Sequence, residues 1–330
     1  MSASELHPDS PQAIVTSPAT PLAAFDAIDE TARAFAEASR SAGTRRAYAI
    51  DWRHFTTWCD AHRVASLPAA PATVVRYLAA SAERYAVATL TRRLASVSQA
   101  HQLAGHPSPT QNEAVRTTMK GIRRTKGTRQ RQAAAATTNV LKLMLGALPD
   151  TLAGTRDRAL LLVGFTAALR RSEIVGLDVD DCQFVGEGLV VRLRRSKTDQ
   201  EGQGVEKAIP YGLVRATCPV RSLKAWLEAA SLKEGPVFRP IDRHGNIRLQ
   251  RLTDRAVALI IKRSAEGAGL DAKDYSGHSL RAGFATSAAA AGASERSIKS
   301  QTGHTSDRIL QRYIRRGTLF EDNPVGQLGL

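Results

Sequence analysis

Cysteine is scarce in this sequence: three residues in 330, Cys59, Cys182 and Cys218, far apart and in no paired spacing. That argues against a disulfide framework and a cysteine-based zinc site, and it fits a reducing compartment. Long apolar runs are also missing. The longest, from Ala159 to Leu169, ends in Arg170 and Arg171, well short of the roughly 18 residues a membrane span needs. The first residues, MSASELHPDSPQAIVTSPATP, hold acids and prolines without an apolar stretch, which argues against export and predicts a cytoplasmic protein away from membranes. No His-Glu-x-x-His pattern occurs, and Asp178, Asp180 and Asp181 lack the His or Glu partners of a two-metal nuclease, so neither metal nor cofactor is expected. Acids are the minority charge, 31 Asp and Glu against 46 Lys and Arg, a formal net charge of +15. An excess of that size points to a polyanionic partner, because Lys and Arg gain affinity for phosphates by releasing condensed counterions.

What is present is a globular composition, 43% hydrophobic and 23% charged, which excludes a wholly disordered or collagenous chain. At roughly 150 residues per domain the length predicts two domains. Residues 1–24, rich in Pro, Ser and Ala without period, read as a flexible tail. From 25 to 124 the pattern is helical: Thr44 is a candidate N-cap, with Tyr48, Trp52, Phe55 and Cys59 following on one face. Pro71 opens a second helix and Thr89 a third, and after the breakers Gly105, Pro107 and Pro109 a fourth runs from Asn112 to Ile122. Lys120, Arg123, Arg124, Lys126, Arg129 and Arg131 form an acid-free stretch that continues into Ala133–Ala136. It reads as a linker able to lie along a phosphate backbone, and it places the domain boundary at 125–137. The second domain, 138–330, opens with helical patterns at Val140–Leu148 and Arg156–Leu169. The period then changes to two at Leu189–Arg194 and again at Val205–Ile209, after the turn Val185-Gly186-Glu187-Gly188. Those two runs predict a small antiparallel sheet, followed by helices after Pro219 and around Val257–Ile261.

Five short patterns in the second domain could carry chemistry: Ala168-Leu169-Arg170-Arg171-Ser172-Glu173, Arg195-Ser196-Lys197-Thr198, Ser276-Gly277-His278-Ser279-Leu280-Arg281-Ala282-Gly283, Thr302-Gly303-His304 and Gln311-Arg312-Tyr313-Ile314. Each alone has a plain structural reading. Arg170 and Glu173 fit a surface i,i+3 ion pair, His278 a helix start, Lys197 edge-strand protection, His304 a turn and Tyr313 a half-buried core tyrosine.

Taken together and in this order, with Tyr313 nine residues after His304, the five patterns resemble the active site of the tyrosine recombinase (phage integrase) family. RSKTDQEGQGVEKAI, SGHSLRAG and YIRR resemble segments of its Cre-like branch most strongly. The stretches Gly43–Cys59 and Lys120–Arg124 resemble the same family's core-binding domain. The resemblance implies a mainly α chain: an N-terminal helical core-binding (SAM-like) domain, then an α-helical catalytic domain with a small antiparallel sheet, the DNA breaking-rejoining fold. It also implies a metal-free, ATP-free, site-specific recombinase forming a 3′-phosphotyrosyl intermediate. Tyr313 would be the nucleophile, Arg170 and Arg281 the guanidinium forks on the non-bridging oxygens, and His278 an acid/base partner. Lys197 would be the general acid for the leaving 5′-oxygen, His304 a donor to a non-bridging oxygen, and Glu173 a carboxylate holding Arg170 or His278. Arg45, Arg46, Arg92, Arg93, Arg123, Arg124 and Arg255 would approach DNA, with both domains clamping one duplex. The expected partners are double-stranded DNA with inverted half-sites and three further copies, a homotetramer on two duplexes, with the tail around Leu319, Phe320, Val325 and Leu328 docking on a neighbour. The expected place is the cytoplasm, at the nucleoid. Rival readings are a type IB topoisomerase-like enzyme and a catalytically silent DNA-binding or architectural protein.

Overall fold

The computed structural model describes residues 28–32, 34–35, 40–128, 132–194 and 204–304, and of the C-terminal segment 306, 307, 310, 311, 313, 314 and 328. Residues 1–24, the Lys197 loop, and Leu319, Phe320 and Val325 lie outside the described residues. The chain divides into two units, Met1–Gln130 and Arg131–Leu330.

The first unit is a helical bundle. Helix α1 (Ala42–Ala61) starts earlier than the Thr44 cap predicts: Ser41 is the N-cap, and its Oγ accepts the Thr44 N–H at 3.3 Å. A serine at that position satisfies an orphan donor as well as the threonine would, and it extends the helix by a turn. Helix α2 (Pro71–Ala82) has its proline at the first helical position as expected, α3 (Val87–Leu103) starts two residues before Thr89, and α4 (Glu113–Lys126) is capped by Asn112. Phe55, Cys59, Val74, Tyr77, Leu78 and Leu90 meet in a core from which water is excluded. The basic stretch is therefore not irregular where it begins. Lys120, Arg123, Arg124 and Lys126 belong to α4, and cations in its last turn complement the helix dipole. Lys126 turns back onto the main-chain carbonyls that follow α2, including Tyr85 O at 3.2 Å.

The second unit is built around α6 (Leu152–Thr166). Leu160, Leu161, Leu162 and Val163 are all buried, so the second half of the helix is apolar on every side and has to be central. Around it lie α5 (Thr138–Gly146), α7 (Arg171–Gly176), α8 (Pro219–Ala229), α9 (Asp254–Gly267), α10 (Ser279–Ala290) and α11 (Glu295–Thr302). The sheet is antiparallel in the order β1 (Cys182–Phe184), β2 (Gly188–Leu193), β3 (Val205–Pro210). Strand β1 is too short for its alternation to show in the sequence; it exists because β2 offers it a ladder, with Cys182 opposite Val191. On β2's other edge Val191 faces Lys207.

Residues 134–136, placed in the linker by composition, are built into this unit. Ala134 N donates to Asp274 O at 2.7 Å and Ala136 N to Ser279 O at 2.9 Å, and Ala136 is fully buried. Small side chains let this segment run against the start of α10, where Gly283 has no room for a Cβ: one would sit 1.9 Å from Ala136 O. Gly283→Ala is expected to destabilise the protein by about 2–3 kcal/mol, seen as a lower Tm, because the obstacle is backbone and cannot swing aside. An unchanged Tm would contradict this packing.

Candidate active site

Arg170 stands at the N-cap of α7, just past Ala168, a non-glycine residue held at φ +51°. The i,i+3 relation to Glu173 is an ion pair, as the plain reading has it, but with the carboxylate buried and the guanidinium largely covered. Glu173 Oε1 accepts from Arg170 Nη1 at 2.5 Å, and its Oε2 accepts the Arg170 backbone N–H at 2.8 Å. One carboxylate thus caps the helix and aims the guanidinium, the role expected of Glu173. The strained Ala168 carbonyl is in turn held by Arg281, whose Nη1 donates to it at 2.8 Å. Arg281, in the first turn of α10, is 5% exposed. Its Nη2 is buried and, among the described residues, has no hydrogen-bond partner. Burial and the charge of Arg170 push the Arg281 pKa down to about 10, with Glu173 and Tyr313 acting the other way.

Helix α11 ends at Gly303, whose left-handed φ of +59° turns the chain toward His304. His304 Nδ1 lies 2.8 Å from Thr302 Oγ1, and that hydroxyl donates to Ile298 O at 2.7 Å. With its proton committed there, the hydroxyl accepts from His304 Nδ1–H, which leaves Nε2 with a lone pair in the neutral ring. Burial, then Arg281, Arg170 and Lys207, push the His304 pKa down to about 4. In the protein alone His304 is therefore neutral at neutral pH, with Nε2 free to accept. Since the unfolded chain takes up this proton first, near 6.5, the His304 contribution to stability is lost as pH falls from about 6.5 through about 4. An NMR titration of the ring, assigned with a His304→Gln spectrum, should give a midpoint near 4; a midpoint at the ordinary value would refute the burial argument.

Tyr313 is half-buried on a small cluster with Ala285, Ala289, Ile298 and Leu310. Its ring centroid is 5.8 Å from that of His304. The core-tyrosine reading holds, and the packing is what brings the phenol ring to the histidine. His278, exposed at the N-cap of α10, belongs to the tight turn Ser276–Ser279. There its N–H is accepted by Ser276 Oγ at 3.2 Å, and a Cβ on Gly277 would strike the Arg171 stem. Lys197 lies outside the described residues.

Among the described residues the site also holds a lysine that the motif reading passes over. Lys207 on β3 is 4% exposed and shares the electrostatic environment of Arg281, Glu173 and Arg170. The signal was available: in the two-residue period of β3, Lys207 occupies the same inward face as Ile209.

The arginines expected on DNA divide. Arg45, Arg46, Arg123, Arg124 and Arg255 are exposed. Arg92, also exposed, is held by Asp51 through Nε at 2.6 Å and Nη2 at 3.1 Å. Arg93 corrects the expectation. It is 5% exposed, stacked 3.8 Å over the Tyr85 ring and 3.7 Å from Asp51. On an amphipathic helix the residue after an exposed arginine is turned by 100°, and here that turn carries it into the bundle. Asp178 and Asp181 are bound by Arg194, at 3.3 and 2.7 Å, and Asp178 also by Arg251 at 2.9 Å. Among the described residues no three His, Cys, Asp or Glu gather as metal ligands, and no helix is long and apolar enough to cross a membrane.

Comparison with known proteins bears on this geometry. Residues 134–318 match the model of the phage integrase family. The integrase/recombinase xerD homolog of Selenomonas ruminantium is 40% identical over 296 residues, covering 88% of this chain and 87% of its own. The recombinase cre of Escherichia phage P1 is 28% identical over 285 residues, covering 80% and 81%. In fold, the chain is similar to the crystal structure of lambda integrase residues 75–356 bound to DNA, with a TM-score of 0.58 at 16% identity, covering 89% and 96%. A match over more than half the chain and a relative of this identity along most of its length place the chain in the phage integrase family of tyrosine recombinases.

Proposed function

We propose that this chain cuts and rejoins DNA at specific sites through a 3′-phosphotyrosyl link to Tyr313, with neither metal nor ATP. The observation that carries the reading is Arg281. Its Nη1 is fixed on Ala168 O while its buried Nη2 lacks a protein partner among the described residues, and such a donor recovers its desolvation cost when an anion arrives. Arg281 and Arg170 meet the non-bridging oxygens of the scissile phosphate and stabilise the charge that grows in the pentacoordinate transition state. The negative charge offsets the arginines that suppress His304, so His304 takes up a proton and donates from Nε2. Tyr313 attacks in line, and the bond energy is kept in the phosphotyrosyl ester for rejoining. His278 serves as an acid/base partner and Lys197 protonates the leaving 5′-oxygen. Glu173 holds Arg170 in register.

Arg45, Arg46, Arg123, Arg124 and Arg255 then take the DNA backbone and base edges, Arg92 after release from Asp51. Arg93 supports that surface from within. The protein acts at the nucleoid on inverted half-sites, as a homotetramer across two duplexes. A groove of about 540 Å³ in the second unit, with Leu141, Leu162, Phe165, Ile209, Phe284 and Ile298 in its lining, supports docking of a neighbour's C-terminal tail there, which predicts a cyclic assembly.

The test is covalent capture. Purified protein is incubated in chelator with nicked duplexes drawn from its genomic flanks and from random sequence, and DNA that resists detergent is sequenced. Recovery of 3′-linked DNA sharing inverted half-sites is expected. A salt-dependent shift of the same DNA without any covalent product would instead mark a binding protein.

A further inference from the structure

Lys207 has no part in the scheme above, yet its position is an expensive one. An ammonium is rarely buried without a carboxylate partner, and Lys207 is 4% exposed. The nearby carboxylate, Glu173, is already engaged by Arg170 through its guanidinium and its backbone N–H. What Lys207 Nζ meets is a neutral acceptor, the main-chain carbonyl of Gln301 at the end of α11. Gln301 is itself pinned, its side chain donating to Thr166 O at 2.8 Å. The next residue is Thr302, whose hydroxyl orients His304 at 2.8 Å. The lysine thus joins the sheet to the segment that delivers His304, while its charge adds to those of Arg281 and Arg170 in the field felt by that ring. Burial and Arg281 bring the Lys207 pKa down to about 8, with Glu173 acting the other way. The site thus disfavours the uncompensated charge, and an anion brought beside it would favour the charged form again.

We propose that Lys207 is a positioning residue of the strand-cleavage reaction, one that ties β3 to the end of α11 to set His304 and supplies, beside Arg281 and Arg170, a further positive charge to the floor of the scissile-phosphate site. It rests on the reading of Arg170, Arg281 and Tyr313 given above. In structural terms a lysine here is worse than an apolar residue of its size, since Val191 faces it across the ladder and Ile209 shares its face. Its presence is explained by the anion.

The experiment uses the full chain and the nicked duplex recovered by covalent capture, made with an ordinary scissile phosphate or with a methylphosphonate that removes one non-bridging charge. Lys207→Met keeps the volume and removes charge and donor; Lys207→Gln removes the charge and keeps a donor. Both are expected to fold and to bind DNA with wild-type salt dependence. On the phosphate duplex, Lys207→Met is expected to slow single-turnover cleavage on the order of 10- to 100-fold, with Lys207→Gln between it and wild type. On the methylphosphonate duplex the Lys207→Met defect should shrink toward unity, because less charge develops for the lysine to stabilise. Wild-type cleavage by Lys207→Met, an equal defect on both duplexes, or failure of both variants to fold would overturn the proposal and leave Lys207 a structural residue. If Tyr313→Phe still attaches to DNA, it is the reading of the site that fails, an outcome separate from these.

Discussion

Tyr313→Phe loses covalent attachment to DNA completely within the sensitivity of capture, a fall of at least about 10³-fold, while binding the same duplexes as well as wild type. The substitution removes one oxygen from a half-buried ring whose packing against Ala285, Ala289, Ile298 and Leu310 is apolar, so the fold keeps its contacts and Tm stays close to that of wild type. In the proposed reading binding depends on exposed arginines elsewhere, and its salt dependence is expected not to sense the phenol. The separation is what makes the result informative. An architectural protein needs no nucleophile, so a Tyr313→Phe protein that kept its DNA products would refute the chemistry. A protein that lost binding together with attachment would show that Tyr313 acts through structure.

Arg281→Lys is expected to lower the rate of cleavage on the order of 10²- to 10³-fold with little change in DNA affinity. Conservation of charge does not help, because the residue performs two tasks with one planar group. Nη1 holds Ala168 O at 2.8 Å, and the buried Nη2 is the donor proposed for the phosphate. A lysine is a point charge on a flexible stem and can reach one of the two. If it takes the phosphate, Ala168 loses the partner that steadies its φ of +51°, and Arg170, two residues on, is aimed less well. The damage therefore spreads to the other arginine. Arg170→Lys combined with Arg281→Lys should cost clearly less than the product of the single effects, since both variants disturb one unit. Single-turnover rates at saturating protein measure this directly. Full additivity would mean that the Ala168 turn does not couple the two arginines.

The helices were legible where the sequence carries a local rule. Pro71 at a first turn, Asn112 before an acid, and the apolar face from Trp52 to Cys59 each depend on residues within a few positions of one another. The small errors are of the same local kind: Ser41 replaces Thr44 as a cap because either hydroxyl serves, and β1 is too short for alternation to register. The basic stretch misled for a different reason. Charge composition marks a surface, but it does not say whether that surface is a helix end or a linker, and 120–126 proved to be the former.

By itself the sequence determined the sign of the protein's charge, the order of the motifs and the mainly helical class with its small sheet. Those properties depend on composition and near neighbours. The tertiary structure alone decided which of these side chains are buried, and with them their protonation and their aim. Arg93 is drawn inward by Asp51 and Tyr85, and His304 is kept neutral by burial and by the charges of Arg281 and Arg170. Arg281 is left with a buried donor to spare, and Lys207 is carried by strand pairing to a site 94 residues away in the chain, at Gln301. Burial and electrostatic field are sums over atoms that are close in space and far apart in sequence, and folding is what brings them together.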